Sequence, residues 1–348
     1  MTNSPLKTDT LICANSKDGF VTHQKQLMNS SYLYIIKGGP GTGKSSFMKT
    51  VAKSYLDKGF MVECIHCSSD TNSLDGVYIK DKKILFFDGT SPHSQELITP
   101  GAGGEIIDLG AFWDSLALEK SLDTIRKLNE DMKLAYQKAY SILKVAGELE
   151  LAKDNICNSF LLENKLQKYL SSFCKRLLKK TATKGSLNIR FSNSISHNGI
   201  TDFLPNATML ANDIYEISDS YSYILPLMLD VITDFAIKNG YTVTAFCTAL
   251  NPLKKEFIVV DELKIGIGKM TTNPYMRINT SRFTDTVNFK SSKNRVNLYK
   301  KLMSELIDDA VFYLKKAFSF HDDLENIYKK EMNFTAVTDF TKVFLAKL

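Results

Sequence analysis

The chain has 348 residues, of which 44% are hydrophobic and 24% are charged, and its formal net charge is +6. This composition is typical of globular proteins, and the length favours two domains over one. No apolar run reaches the roughly 18 residues of a membrane span, and the polar N-terminus lacks the apolar core of a secretory signal. We therefore expect a cytoplasmic protein without a membrane segment. Its charge is too mild to indicate nucleic-acid binding.

The first predicted elements alternate between strands and a helix. The apolar run Tyr32–Ile36 predicts a strand that is buried on both faces. Residues 46–58 carry apolar side chains at helical spacing, and Gly59 is suited to end that helix. Residues 60–67 and 84–87 predict two further strands. Because a strand, a helix and a strand of these lengths form a βαβ unit, we predict an α/β fold whose parallel sheet is flanked by helices.

A glycine-rich segment between the first strand and the helix fits the pattern G-x-x-x-x-G-K-[ST] from Gly38 to Ser45. Glycines allow the backbone angles that turn N–H groups toward a phosphate, and the following helix N-terminus favours an anion. Lys44 is expected to reach the β- and γ-phosphates in catalysis, and the Ser45 hydroxyl to ligate magnesium. We therefore predict a P-loop NTPase fold that binds ATP or GTP with Mg²⁺. The predicted nucleotide-binding residues are Gly38, Gly39, Pro40, Gly41, Thr42, Gly43, Lys44, Ser45 and Ser46.

The third predicted strand ends in an acid, Asp88, as in the Walker B pattern. We expect this carboxylate to hold magnesium opposite Ser45 and to take part in catalysis, although an aspartate that caps a loop has the same pattern. Gly89 follows, where many mechanical ATPases carry a catalytic glutamate. A glycine in place of this glutamate favours a kinase- or GTPase-like site over a motor.

Three further polar segments are candidates for the site. Asp70 follows the second strand, where a general base would accept a substrate proton, but a plain Asx-turn is the simpler explanation, and Asp75 competes for the role. His93 is a candidate contact for the γ-phosphate, or a surface histidine. The loop Pro100–Glu105 is a candidate lid, or a plain connection.

The second half of the chain repeats the organisation of the first. Gly59 aligns with Gly240 and Lys83 with Lys264, both at an offset of 181 residues. Residues 115–180 and 292–348 both predict long helices, which we interpret as antiparallel hairpins. We predict an internal duplication, with a P-loop module at 1–180 that includes a hairpin at 115–180. A second module at 181–348 includes a hairpin at 292–348.

The second module lacks the glycine-rich pattern. At the offset of 181, Lys37 falls on Ser218, Leu225 replaces Lys44 and Pro226 replaces Ser45. Proline suits the first turn of a helix, so the helix is expected to form while the anion cradle is lost. We predict a degenerate second P-loop.

Several segments of the first half resemble a family of bacterial P-loop ATPases built from two tandem modules. The matching segments are Tyr34–Ser45, Ile65–Cys67, Asp88–His93, Pro100–Ala102, Ile106–Gly110 and Phe112–Trp113. The resemblance implies ATP binding and hydrolysis, without a second substrate. It is only organisational over the second half, where the family's second copy can carry a P-loop of its own.

We therefore predict a Mg²⁺-dependent ATPase whose N-terminal P-loop hydrolyses ATP. One alternative is a small-molecule or nucleotide kinase with Asp70 near the acceptor. The other is an ATP-gated interaction module without significant turnover, whose partner the sequence does not identify. No arginine finger can be assigned, and the candidates in the second half are Arg190, Arg277, Arg282 and Arg295.

Overall fold

The structure is a computed structural model that describes residues 6–29, 31–90, 96–97, 99–269 and 274–348. The strands of the first half are β1 (Lys7–Thr10), β2 (Cys13–Ser16), β3 (Gly19–Thr22), β4 (Tyr32–Lys37), β5 (Val62–His66), β6 (Leu74–Ile79), β7 (Ile84–Asp88) and β8 (Gly104–Asp108). Its helices are α1 (Lys25–Met28), α2 (Lys44–Asp57), α3 (Ser115–Glu119), α4 (Leu122–Asn158) and α5 (Glu163–Leu177).

The second half contains the same succession of elements. Its strands are β9 (Ser186–Phe191), β10 (Asn193–Ser196), β11 (Gly199–Asp202), β12 (Asp213–Ser218), β13 (Thr242–Cys247), β14 (Lys255–Val260), β15 (Ile265–Gly268) and β16 (Met276–Asn279). Its helices are α6 (Leu204–Thr208), α7 (Ile224–Lys238), α8 (Thr286–Phe289), α9 (Lys293–Lys330) and α10 (Phe334–Lys347).

Each half is built on a six-stranded sheet, and both sheets have the same strand order. The first runs β1-β5-β6-β7-β4-β8 and the second β9-β13-β14-β15-β12-β16. The α/β class is confirmed, but the prediction of a parallel sheet is wrong, because β6 pairs antiparallel with both β5 and β7. The seven residues 67–73 between β5 and β6 are too few for a helical crossover, which leaves a hairpin as the connection.

Helix α2 packs on the first sheet because its apolar residues recur on one face. Phe47, Met48, Val51 and Tyr55 are buried together with sheet residues such as Phe86. Burying each of these side chains stabilises the fold by roughly 1.5–3 kcal/mol. The opposite face of the sheet is covered by the hairpin β2–β3 and by α1. This packing fixes the end of β4 and the start of α2, between which the predicted P-loop lies.

The helices that follow each sheet are not hairpins, so that prediction is wrong. The long helix α4 packs along α9, its counterpart from the other half. Helix α5 then packs on α7 of the second half, and α10 packs on α2 of the first half. Backbone bonds fix these exchanges, because Leu162 N donates to Phe283 O at 2.7 Å and Asn333 N donates to Phe112 O at 2.9 Å. Each half therefore covers its partner's sheet with its own last helix.

The helices α4 and α9 run in opposite directions across both halves. Lys153, near the end of α4, contacts Tyr221 beside the second sheet, and Tyr136, earlier in α4, contacts Ser69 beside the first. Helix α9 begins beside the sheet of the second half and ends against the first half. None of the helices in the described part of the chain has the length and apolar character that crossing a membrane requires.

Candidate functional site

The predicted P-loop connects β4 to α2 through a backbone that only glycine adopts readily. Gly38, Gly41 and Gly43 have φ angles of 143°, 69° and 90°. Thr42 Oγ1 donates to Gly39 O at 2.9 Å across the loop, and Phe47 N donates to Gly43 O at 2.8 Å in the first turn of α2. The first N–H groups of the helix have no partner within it, so this end can receive an anion.

The Lys44 ammonium lies at the centre of this loop. Its Nζ donates to Gly38 O and Gly39 O, both at 2.8 Å, and lies 3.7 Å from Asp88 Oδ2. Only 11% of the side chain is exposed. Phosphate oxygens of a bound nucleotide would be able to replace these oxygens as hydrogen-bond acceptors of the ammonium.

Asp88 lies beside Lys44 because β7 pairs parallel with β4, in a register that places Asp88 opposite Ile36. Asp88 Oδ1 accepts hydrogen bonds from Thr90 N at 2.9 Å and Thr90 Oγ1 at 2.6 Å, while Oδ2 faces Lys44. The carboxylate therefore caps the loop after β7 with Oδ1, while Oδ2 points toward the P-loop. The two predicted readings of Asp88 are compatible.

The donor set around Lys44 fits magnesium. Ser45 Oγ accepts a hydrogen bond from Leu74 N at 3.0 Å and has a second lone pair for a metal ion, and Asp88 offers Oδ2. These are hard oxygen ligands, and Mg²⁺ in nucleotide sites takes only one or two protein groups besides phosphates and water. In the described residues, no group of three His, Cys, Asp or Glu side chains could hold a metal. Phosphate oxygens would have to supply the remaining ligands.

The Asp70 carboxylate accepts hydrogen bonds within the turn that it begins. It accepts from Asn72 N at 3.1 Å and from Ser73 Oγ at 2.6 Å, which is the simple turn that the sequence left open. The loop 67–73 is also held from outside, because Tyr136 OH donates to Ser69 Oγ at 3.2 Å. Asp75 is buried in β6, and burial together with Asp75 raises the pKa of the Cys67 thiol.

The candidate loop Pro100–Glu105 does not join this site. The loop Pro100–Gly103 precedes β8, whose first residue Gly104 lies opposite Leu33 at the start of β4. The P-loop follows the other end of β4, about 13 Å away along the strand. A lid role for this loop is therefore wrong. His93 lies outside the described residues.

The end of helix α9 covers the outer side of the P-loop, which sequence reasoning missed. A Cβ atom on Gly39 would lie 2.8 Å from Tyr328 Cε1, and one on Gly41 would lie 2.8 Å from Glu325 O. One turn earlier, the His321 ring lies in the electrostatic field of Lys44 and Asp70. Burial lowers the pKa of His321, although Glu325 opposes this shift. About 290 residues separate Gly39 from Tyr328, so no local pattern could have indicated the contact.

None of the four arginines proposed from the sequence contacts the P-loop. Arg190 is buried in an ion pair with Glu63 at 2.8 Å, and Arg277 pairs with Glu216 at 2.6 Å. Arg282 lies over the rings of Tyr169 and Phe283. Arg295 precedes Glu325 by 30 residues on the same helix, which is about 45 Å along its axis.

The corresponding loop of the second half carries its own anion. Asp219 Oδ2 accepts from Ile224 N at 2.7 Å and Leu225 N at 2.8 Å, and Oδ1 accepts from Tyr221 N at 3.2 Å. This loop has five residues between strand and helix, whereas the P-loop has six, so Ile224 rather than Leu225 takes the position of Lys44. The carboxylate occupies the helix N-terminus, where a phosphate would otherwise bind.

Comparison with known proteins gives one match. The family model described as Novel STAND NTPase 3 matches residues 17–95, the segment that contains the P-loop, α2 and Asp88. No curated protein and no solved structure matches the chain significantly. The segment that forms the site is thus similar to an NTPase family, which fits its P-loop-like geometry.

Proposed function

We propose that the chain binds Mg²⁺·ATP at residues 38–46 and hydrolyses it slowly. The observation that carries this proposal is the position of the Lys44 ammonium, between two loop carbonyls and 3.7 Å from Asp88, at the N-terminus of α2. The similarity of residues 17–95 to an NTPase family supports hydrolysis of a nucleoside triphosphate in general. ATP is favoured over GTP because the chain lacks the N-K-x-D motif that reads guanine.

In the proposed reaction, a water oxygen bonds to the γ-phosphorus while the bond from that phosphorus to the bridging oxygen breaks. The products are ADP, inorganic phosphate and a proton. Lys44 and the loop N–H groups stabilise the negative charge that develops on the terminal phosphate. Ser45 and Asp88 would hold a magnesium ion, which would supply positive charge beside the phosphates.

A turnover screen tests this proposal. Phosphate release is measured with Mg²⁺ and ATP or GTP, with and without a metabolite panel, for the wild type and Lys44→Ala. We expect slow release with ATP, and a decrease of about a hundredfold or more in the variant, as for the loss of one charge-stabilising donor. ATP consumption that requires one metabolite would instead indicate the kinase with Asp70 near the acceptor. No ATP consumption under any condition would contradict the ATPase.

A nucleotide-gated interaction module is a second candidate function. It is favoured by the contacts of Tyr328 and Glu325 with the P-loop, since these residues belong to the second half of the chain. Tight ATP binding without phosphate release, together with ATP-dependent changes in hydrogen exchange over residues 321–348, would support this function. Unchanged exchange in that segment would exclude it.

We also propose that the two modules, 1–180 and 181–348, arose by duplication and that only the first binds nucleotide. The common strand order and the near-constant offset support the duplication. The bonds from Ile224 and Leu225 to Asp219 support the loss of the second site. One nucleotide per chain is therefore the expected stoichiometry, and a stoichiometry of two would contradict the degenerate second site.

A further inference from the structure

The second half of the chain reaches the proposed nucleotide site through the last turns of α9. These turns are fixed in place, because Asp114 N donates to Glu331 O at 2.8 Å and the Trp113 and Tyr328 rings lie 5.6 Å apart. Phe334, just beyond α9, lies 3.8 Å from where a Cβ of Gly43 would be. The P-loop is thus braced from outside by residues 325–334.

This brace explains why one of the P-loop positions, residue 39, is a glycine. Its φ is not in the left-handed region, unlike those of Gly38, Gly41 and Gly43. What excludes a side chain is the Tyr328 ring, which lies within 3.2 Å of the Cβ position at three of its atoms. The loop and the helix therefore fit each other closely, and a residue one or two turns before Tyr328 has a defined position relative to Lys44.

His321 is such a residue, and its ring is partly exposed. It lies one turn before Glu325, with Nδ1 3.9 Å from Glu325 Oε1, and 41% of its side chain is exposed. The charges of Lys44 and Asp70 both act on it. Lys44 is the P-loop residue expected to reach the β- and γ-phosphates, so a side chain near Lys44 is a candidate contact for the terminal phosphate.

The other polar groups at the end of α9 are less suited to this position. The Lys329 ammonium is bonded to Glu325, and the stem of Lys329 packs on the outside of Gly41. Glu325 is itself an acceptor and would repel a phosphate. A histidine ring donates one N–H when neutral and two when protonated, so the ring can supply a hydrogen-bond donor to a phosphate oxygen.

We propose that His321 donates a hydrogen bond to the terminal phosphate of the bound nucleoside triphosphate, so that the second half of the chain distinguishes ATP from ADP. This inference rests on the proposed nucleotide binding at Lys44. Glu325 lies beside the ring, and the brace by Tyr328 holds this end of α9 against the loop. His321 is thus a specificity residue contributed by α9.

Calorimetric titration of the full chain with Mg²⁺·ATP and Mg²⁺·ADP tests the inference. We expect His321→Gln and His321→Ala to weaken ATP binding about tenfold, as for one hydrogen bond to a charged group, and to change ADP binding less than about twofold. Asn326→Ala, at an exposed position of α9, is the matched control and should change neither affinity. Thermal unfolding of each variant checks that the fold is retained.

The outcomes separate this inference from the proposed function. If the wild type and Lys44→Ala both fail to bind nucleotide, nucleotide binding itself is wrong. If Lys44→Ala abolishes binding while the His321 variants keep the wild-type ratio of ATP to ADP affinity, only the role of His321 is wrong. Equal weakening of ATP and ADP binding would likewise overturn it, because it indicates a general disturbance of the loop.

Discussion

At the scale of single residues, the P-loop glycines meet two different physical demands. Gly38, Gly41 and Gly43 have positive φ angles, which side chains resist. Gly39 instead leaves room for Tyr328. The motif predicts the first demand from sequence alone, because it depends on local backbone geometry. It cannot predict the second, because Tyr328 is distant in the chain.

Gly39→Ala should therefore act through packing. We expect it to destabilise the protein by about 1–3 kcal/mol, as overpacking does, and to displace Tyr328. Tyr328→Leu should relieve much of this cost, so that the double variant is more stable than the sum of the single changes predicts. Denaturant unfolding measures all three variants.

Gly59→Ala is the matched control for this experiment. Gly59 has a φ of 81° and no atom within 4 Å of its Cβ position, so its substitution is costly only through the backbone. Tyr328→Leu should leave that cost unchanged. If the Gly39 and Tyr328 substitutions were additive, the packing explanation of Gly39 would be wrong.

The sequence correctly predicted that certain residues lie close together, and these residues belong to local motifs. Lys44 and Ser45 follow from the P-loop pattern, and Asp88 follows from an apolar strand that ends in an acid. Their roles in binding nucleotide and magnesium stay predictions. The role proposed for His321 has no sequence signal, since a single histidine within a long amphipathic helix does not indicate what it faces.

At the scale of elements, local periodicity predicted β4, β5, β7 and α2 to within two residues at each end. It failed for β6, whose short connection to β5 forces an antiparallel pairing. It also predicted hairpins at 115–180 and 292–348, whereas the long helices α4 and α9 pack on each other.

Helix α10 packs on the first half of the chain, and sequence periodicity could not predict this location. An apolar helix face predicts burial but not the surface that buries it. Phe344 has ring contacts with Tyr34, Phe47 and Phe86, at centroid distances of 5.3, 5.6 and 6.2 Å. The helix that starts at the P-loop therefore depends on the end of the chain for part of its core.

Phe344→Ala should destabilise the protein by about 3 kcal/mol, because it removes an aromatic ring from this cluster. Hydrogen exchange should accelerate in α2 as well as in α10, since the two helices share the cluster. Phe312→Ala is the control, because Phe312 is 50% exposed on α9 and should change stability much less. Faster exchange confined to α10 would show that α2 does not rely on the exchanged helix.

At the scale of the whole molecule, the two halves are joined by a buried ion pair as well as by α4 and α9. Arg190 Nε of β9 lies 2.8 Å from Glu63 Oε1 of β5, and Thr10 Oγ1 donates to the same oxygen at 2.8 Å. Burial alone would raise the pKa of Glu63, but Arg190 and Lys80 hold it well below its usual value. The carboxylate thus remains charged in the folded protein.

Arg190→Met should destabilise the protein by about 3–5 kcal/mol near pH 7, because it leaves the Glu63 charge buried without its partner. The double variant with Glu63→Gln should recover most of this loss. Because the pKa of Glu63 is lower in the folded state, its stabilisation is complete above the unfolded pKa of about 4.3 and is lost as the pH falls below it. Urea unfolding at pH 7 and pH 4 should show a smaller acid loss in the double variant than in the wild type. Equal acid losses would mean that this pair does not link the halves energetically.

The proposed function depends on the binding of a nucleoside triphosphate by the Lys44 ammonium and the surrounding loop. Calorimetric titration of the full chain with Mg²⁺·ATP, compared with Lys44→Ala, measures this binding. We expect a saturable heat with one site per chain in the wild type and no detectable binding in the variant. Absence of heat in the wild type, or equal binding by both proteins, would contradict it.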